Sequence, residues 1–255
     1  MAKPNGTPTN SGERPTDLPI LRHVALYGLT FTHPVQRLFF PEDQFNTCEK
    51  AHERAGDALH GLTCSGLLTT TYQKEPLRFN KDYKYYILTK EGAKRVGAKP
   101  STTKPPKDVS TSLAILWMCT MEKKRFYRVE HDELQAILGD KAPHHNVFHV
   151  LSEDKFGPVV YRVYASDSEA SDVLKHAAKN CLEPALNNST LRPLVDVGDY
   201  GFAILLPDER RRSATQKLFA KAKEDGPSLS RIARFTVRLG PTPQTLAEAI
   251  QGLKS

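Results

Sequence analysis

The sequence lacks the features that mark most membrane, secreted and metal-binding proteins. It has no run of about 18 apolar residues, so no membrane-spanning helix is predicted. Residues 1–17 have no apolar core of the kind a secretory signal carries, and we expect a disordered tail there. The four cysteines are scattered, and none lies at the two-residue spacing of zinc or redox pairs. Cys48 and Cys64 are expected to pack as small apolar residues. We therefore expect a reduced, cytoplasmic protein without a metal or cofactor.

Motifs of the common catalytic sites are also absent. The sequence has no glycine-rich phosphate loop, no Gly-x-Ser-x-Gly turn and no cysteine-histidine pair at the spacing of a nucleophile and its base. This weakens the hypothesis of an enzyme without excluding it. No catalytic residue is assigned.

Positive charge is present in excess and is unevenly distributed. The 255 residues carry a formal net charge of +7, which permits a polyanionic partner. Much of the excess lies between residues 69 and 99, where eight cations accompany three anions. The cations are Lys74, Arg78, Lys81, Lys84, Lys90, Lys94, Arg95 and Lys99.

Three short helical patterns precede this basic region. Apolar residues recur three and four apart over 18–28, and a second short helix is predicted from Pro34. A third helix is predicted to begin at Asn46 or Thr47 and to run to Leu62. Its apolar stripe consists of Ala51, Ala55, Ala58, Leu59 and Leu62, and its opposite face carries Lys50, Glu53, Arg54 and Asp57.

A strand pair follows the third helix. Residues 67–72 and 83–88 are rich in β-branched, aromatic and other apolar side chains, and a basic loop joins them. Three helices followed by a hairpin is the order of a winged helix-turn-helix, which implies a duplex DNA-binding protein. We predict that the DNA-contacting residues are Lys50, Arg54, Lys74, Arg78, Lys81 and Lys84. The two on the helix face the major groove, and the others lie on the wing near phosphates.

The remainder of the chain indicates a second domain. Residues 99–108 are rich in proline, serine, threonine and lysine, so we predict a linker between a winged helix over 18–98 and a domain over 109–255. Strand-like runs at 146–151 and 158–164 form a predicted hairpin that places Glu153 and Asp154 in its turn. A capping box over 166–169 predicts the start of a helix. Further strands at 200–206 and 234–239 alternate with helical patterns. We therefore predict an α+β protein whose second domain has a mixed sheet.

The N-terminal residues resemble a known family. Arg37-Leu-Phe-Phe, the helix from Ala51 to Leu62, Gly66-Leu-Leu and Tyr86-Ile-Leu-Thr-Lys-Glu-Gly-Ala are similar to the replication-relaxation proteins of bacterial plasmids and mobile elements. The resemblance covers about residues 18 to 97. It implies a winged helix followed by a domain similar to a restriction endonuclease fold, with a role in replication, mobilisation or transcriptional control.

Several alternatives remain open. His144, His145 and His149 invite a metal-site hypothesis. Successive strand residues point to opposite faces, however, so His145 and His149 share a side that His144 does not, and packing or solvated histidines are favoured. A metal-dependent nuclease would place metal-binding carboxylates on the sheet. The predicted strands have no carboxylate where an acid-x-lysine pair is needed, and the candidate carboxylate Glu133 lies on the preceding helix. A protein-interaction adaptor is consistent with the acidic residues of the third helix.

We expect the protein to form a homodimer, to bind double-stranded DNA and not to bind a membrane.

Overall fold

The structure of the chain is a computed structural model, and it describes residues 15–45, 47–72, 84–122, 126–139, 148–154, 157–224 and 234–253. Within these ranges, helices and strands are both abundant, and the strands form one two-stranded and one five-stranded sheet. The predicted α+β class is confirmed. Residues 1–14 of the predicted tail lie outside the described part of the chain.

Three helices open the fold. They are α1 (Asp17–Tyr27), α2 (Thr32–Phe39) and α3 (Cys48–Cys64). α1 ends at Gly28, whose φ of 77° lies in the left-handed region that glycine adopts without strain. α3 begins after Thr47, whose side chain accepts a hydrogen bond from the backbone N–H of Lys50 at 3.2 Å. Both helix ends agree with the prediction from the sequence.

A small antiparallel sheet follows α3. It consists of β1 (Leu68–Tyr72) and β2 (Lys84–Leu88). On the edge of β2 opposite to β1, Tyr86 forms a one-residue bridge with Thr30 from the segment between α1 and α2. The Thr30 N–H donates to the Tyr86 carbonyl at 3.0 Å, and the Tyr86 N–H donates to the Thr30 carbonyl at 2.9 Å. The helix pair α1–α2 is thereby fixed to the hairpin.

The helix α4 (Lys90–Val96) closes this part of the chain. It packs so closely on the segment before β1 that a Cβ at Gly92 would lie 2.0 Å from the carbonyl oxygen of Leu67. Only glycine permits this approach. The helices and the hairpin enclose a core that consists of Ile20, Leu21, Val24, Val35, Ala55, Ala58, Leu59, Leu62, Leu68, Tyr86, Leu88 and Ala93.

The larger sheet lies in the second half of the chain. Its strands are β3 (Phe126–Val129), β4 (His149–Asp154), β5 (Gly157–Ala165), β6 (Tyr200–Leu206) and β7 (Arg234–Leu239), and they are ordered β3-β4-β5-β6-β7. The first three strands are antiparallel, and the last three are parallel. The predicted mixed sheet is confirmed. Every residue of β6 is buried, because helices cover both of its faces.

Helices pack on the two faces of this sheet. They are α5 (Val109–Thr120), α6 (His131–Leu138), α7 (Ala170–Ala177), α8 (Glu183–Leu186), α9 (Leu191–Val197), α10 (Glu209–Glu224) and α11 (Leu246–Gly252), with a π-helical segment, Ala178–Leu182, between α7 and α8. Phe202 and Ile204 of β6 contact clusters formed by α6 to α10. Ala203 and Leu205 point the other way, toward α5 and α11.

The core around α5 also includes the N-terminal half. Leu29 and Phe31 of the N-terminal half belong to the same buried cluster as Trp117 of α5 and Leu205 of the sheet. Asp108, at the end of the predicted linker, caps α5 by accepting a hydrogen bond from the Thr111 N–H at 2.9 Å. The division of the chain at 99–108 stays a prediction, but the two parts share one apolar cluster.

Two local predictions in the second half were wrong. Glu153 and Asp154 belong to β4, where they pair with Pro158 and Gly157 of β5 instead of lying in the turn. The predicted capping box over 166–169 does not start the next helix. Ser166 accepts a hydrogen bond from the Ser168 N–H, which makes a local turn, and α7 begins only after Glu169.

Candidate nucleic-acid interface

The helix α3 is amphipathic, as predicted. Ala51, Ala55 and Ala58 are fully buried, as is Leu59, and Leu62 is nearly so. Small side chains at these positions let α3 pack closely on its neighbours, which include α2. The opposite face of α3 is therefore held in a fixed orientation toward solvent.

The exposed face of α3 carries charges of both signs. Lys50 and Arg54 are exposed and lie four residues apart, so they share this face. Neither side chain forms an ion pair among the described residues. Glu53 and Asp57 are exposed beside them. The structure therefore brings together the two helix residues predicted to contact DNA, within a surface of mixed charge.

The hairpin contributes one described residue of the predicted set. Lys84 opens β2, and its ammonium lies 5.2 Å from the ring centroid of Tyr86. This cation–π contact holds the side chain of Lys84 against the sheet. The other three predicted wing residues, Lys74, Arg78 and Lys81, lie outside the described residues.

The helix α4 supplies further cations. Lys90 and Lys94 are exposed and four residues apart, so they lie on one side of the helix. Neither forms an ion pair among the described residues. Both lysines belong to the basic region of the sequence, but the predicted set of DNA-contacting residues does not include them. The four-residue spacing of Lys90 and Lys94 after the Thr89 cap is the sequence signal that predicts their shared face.

A polar network fixes the start of α3 against α2. Gln36 donates to the Cys48 sulfur at 3.3 Å, and its Oε1 atom lies 2.9 Å from Nδ1 of His52. The ring of His52 also lies 4.6 Å from the ring of His33. Cys48 is exposed, as is Cys64 at the other end of the helix, so the predicted packing of both as small apolar residues was wrong. Their thiols instead face polar groups.

A buried histidine supports the Thr30 bridge. His23 of α1 is 7% exposed, and its Nε2 atom lies 3.0 Å from the hydroxyl of Thr30. Burial lowers the pKa of His23 from 6.5 to about 4, because the charged imidazole loses its hydration. The imidazole is therefore neutral at physiological pH, and it ties α1 to the segment that pairs with β2.

The second half shows no metal centre among the described residues. His149 is buried and its Nε2 lies 2.9 Å from the hydroxyl of Tyr200, while His144 and His145 lie outside the described residues. Glu133 accepts a hydrogen bond from the Glu130 N–H and so caps α6. Within the described ranges, no group of three or more His, Cys, Asp or Glu residues could hold a metal ion. The nuclease hypothesis therefore gains no site from these residues.

In the described ranges, no helix combines the length and the apolar character that crossing a membrane requires. Comparison of the chain with protein-family models, with curated proteins and with solved structures finds no match.

Proposed function

We propose that the N-terminal half is a winged helix that binds duplex DNA. The observation that carries this proposal is the bridge between Thr30 and Tyr86. The bridge gives the chain a short extended segment between α1 and α2. The order of elements along the chain is therefore helix, bridge, helix, helix, strand, strand. In winged helices the first extended segment pairs with the last strand of the hairpin, and Thr30 pairs with β2 in this way.

The geometry of α3 supports its role as the helix that enters the major groove. Its apolar side is buried, its other side is exposed, and the groove is wide enough for one α-helix. In this proposal Lys50 and Arg54 approach base edges. An arginine can donate two hydrogen bonds to a guanine, which gives Arg54 the larger part in sequence choice.

Affinity would come mainly from the cations outside α3. Glu53 and Asp57 repel phosphates and offset part of the attraction of Lys50 and Arg54. Lys84 on the hairpin has no such neighbour on its strand, and the proposed wing residues Lys74, Arg78 and Lys81 would add phosphate contacts. Phosphate contacts position the protein without selecting a sequence.

The biological setting follows from the family resemblance and is part of the proposal. The protein would act on plasmid or mobile-element DNA in replication, mobilisation or transcriptional control. A homodimer would present two copies of α3 to two half-sites, as symmetric DNA-binding proteins do.

A protein-binding adaptor is the second candidate function. The observation that favours it is the acidic character of α3, where Glu49, Glu53 and Asp57 are all exposed. An acidic helix face suits a basic protein surface better than it suits a phosphate backbone.

Selection of bound sequences from a pool of random duplexes, followed by anisotropy titrations, tests the proposal. Arg54→Ala should change the ranking of the selected sites, with a loss of about 1–3 kcal/mol of discrimination at one position. Lys84→Gln should weaken binding to all sites about equally. Lys217→Gln, which removes an exposed cation of α10, is the matched control and should change neither property. An unchanged ranking for Arg54→Ala would refute the assignment of α3 as the reading helix.

A further inference from the structure

Two cysteine–histidine pairs lie on α3, one toward each end of the helix. Cys48 and His52 are four residues apart near its start, and His60 and Cys64 are four residues apart at its end. Side chains four residues apart on a helix are neighbours on one face, and histidines at this spacing bind zinc in metalloproteases. The two pairs share one spacing, so their surroundings decide which of them can hold a metal ion.

A glutamine separates the first pair. Gln36 of α2 donates to the Cys48 sulfur at 3.3 Å, and its Oε1 atom lies 2.9 Å from Nδ1 of His52. The pair also lies in the first turns of α3, where the helix dipole disfavours a cation. Cys48 and His52 are therefore joined through an amide group, and they are not arranged around a metal ion.

The second pair meets directly. The Cys64 sulfur lies 3.5 Å from Nε2 of His60, and both residues are exposed. Among the described residues, neither side chain forms a hydrogen bond or an ion pair with any other residue. Within the described part of the chain, no other group competes with a metal ion for this thiol and this imidazole.

The separation of these two atoms matches a tetrahedral zinc site. Zinc binds a cysteine sulfur at about 2.3 Å and a histidine nitrogen at about 2.0–2.1 Å, so a tetrahedral angle places the two ligand atoms about 3.5 Å apart. With the same bond lengths, ligands on opposite sides of the ion would be about 4.4 Å apart, and ligands at a right angle about 3.1 Å. The observed 3.5 Å agrees with the tetrahedral arrangement.

The charge around the second pair also favours a cation. Cys64 is the last residue of α3, where the helix dipole places partial negative charge. The last turn of α3 carries no basic residue, and the exposed Asp57 lies three residues before His60 on the same side of the helix. A divalent ion at His60 and Cys64 is therefore attracted by the end of α3 and is not opposed by a cation of its last turn.

We propose that His60 and Cys64 form one half of a zinc site, which a second copy of the chain completes. Structural zinc sites have four ligands, whereas the described residues contain no group of three or more that could hold a metal ion. Two copies related by a two-fold axis supply two sulfurs and two nitrogens, because such an interface brings the same residues of both chains together. Each thiol loses its proton when zinc binds, so formation of the site releases two protons to solvent. The site rests on the geometry of α3 and not on DNA binding.

Metal titration of the full chain tests the proposal. Calorimetry with zinc chloride, in a buffer that contains a phosphine reductant, should give one zinc ion per two chains and a Kd on the order of 1 µM or lower. Cobalt(II) is the spectroscopic probe, because its absorption reports tetrahedral coordination and bonds to sulfur. The mass measured by sedimentation should double at one zinc ion per two chains, and EDTA should reverse this change.

Single substitutions locate the site. Cys64→Ser and His60→Gln should each weaken zinc binding about tenfold or more and prevent the increase in mass, because each removes two of the four ligands. His60→Gln keeps the thiol, so it separates a metal link from a disulfide between two copies of Cys64. Cys48→Ser is the matched control, since Cys48 is also an exposed cysteine of α3 four residues from a histidine, and it should leave zinc binding unchanged.

Three results would overturn the proposal. The first is no heat of zinc binding and no cobalt absorption at concentrations far above the expected Kd. The second is one zinc ion per chain without an increase in mass, which would show that a single chain completes the coordination. The third is an equal loss of zinc binding in Cys48→Ser and Cys64→Ser, which would show that the ion is not held at the end of α3.

Discussion

The two halves of the molecule use their charged side chains differently. In the N-terminal half, Lys50 and Arg54 are exposed and form no ion pair among the described residues. In the second half, Nη1 of Arg211 lies 2.6 Å from Oδ2 of Asp208, and Nη1 of Arg238 lies 3.3 Å from Oε2 of Glu122. Unpaired, hydrated cations can contact a polyanion at little cost, whereas paired and partly buried arginines hold a local structure in place. The proposed DNA contact therefore uses the exposed cations of the N-terminal half.

Both halves of the molecule pack on α5. Truncation of Phe31 should give the largest effect, because this N-terminal side chain is 2% exposed and belongs to the cluster around Trp117 and the sheet. Phe31→Ala should lower the free energy of unfolding by about 3–5 kcal/mol. Urea unfolding followed by Trp117 emission and by circular dichroism should give coincident transitions, both shifted.

Leu253→Ala is the control for this prediction. Leu253 is an exposed apolar residue just after α11, and its truncation should cost much less than that of Phe31. If Phe31→Ala left the transition of the large sheet in place and shifted only a separate N-terminal transition, the two halves would be independent. The shared core would then contribute nothing to the free energy of unfolding of the large sheet.

A pH series sharpens the comparison between the halves. The unfolded chain takes up a proton on His23 below pH 6.5, but the folded chain does so only near pH 4. The free energy of unfolding should therefore fall as the pH falls through this window, by about 3 kcal/mol in total. The raised pKa of Glu122 acts in the opposite direction, because the folded state binds that proton more readily.

Urea unfolding at pH 7 and at pH 5 separates the contribution of His23. His23→Gln keeps a polar group near Thr30 and removes the titration, so its stability should decline less with acid than that of the unmodified chain. His60→Gln replaces an exposed histidine of α3 and should leave the decline as it is. Equal declines in all three proteins would show that the buried imidazole does not titrate as described.

Arg37 forms a polar link between the halves. This α2 side chain donates hydrogen bonds to the carbonyl of Met121 and, at 3.2 Å, to that of Glu122, just beyond the end of α5. Carbonyl groups at a helix end lack partners within the helix, so Arg37 satisfies groups that would otherwise need water. Arg37→Ala should lower the free energy of unfolding by about 1–2 kcal/mol.

Arg22→Ala is the matched control for Arg37, since Arg22 is an exposed arginine of α1. Arg22→Ala should change the free energy of unfolding by no more than about 0.5 kcal/mol, measured by thermal or urea unfolding. A loss for Arg37→Ala no larger than that for Arg22→Ala would mean that the link contributes nothing to the association of the halves.

Local sequence patterns predicted the elements that depend on local signals. The alanine stripe of α3, the Thr47 cap and the apolar run of β6 each follow from spacing or composition within a few residues. The exposure of Lys50 and Arg54 followed from the same stripe. The mixed sheet followed from the order of strands and helices.

Features that depend on distant partners could not be predicted in this way. Thr30 contributes a single bridge residue, which leaves no strand pattern in the sequence. The core contact of Phe31 with the cluster around α5 joins segments that are far apart in the chain. Trp117, Arg212 and Ala249 line one cavity, and their association depends on the complete packing of the second half.

The salt dependence of duplex binding tests the central claim most directly. The full chain should bind a pool of random duplexes, and its affinity should fall about tenfold or more between 50 and 200 mM salt, because phosphate contacts release counterions. Anisotropy titrations at several salt concentrations measure this slope. Binding that is absent at the lowest salt concentration, or that does not change with salt, would contradict the assignment of the exposed cations of the N-terminal half to DNA.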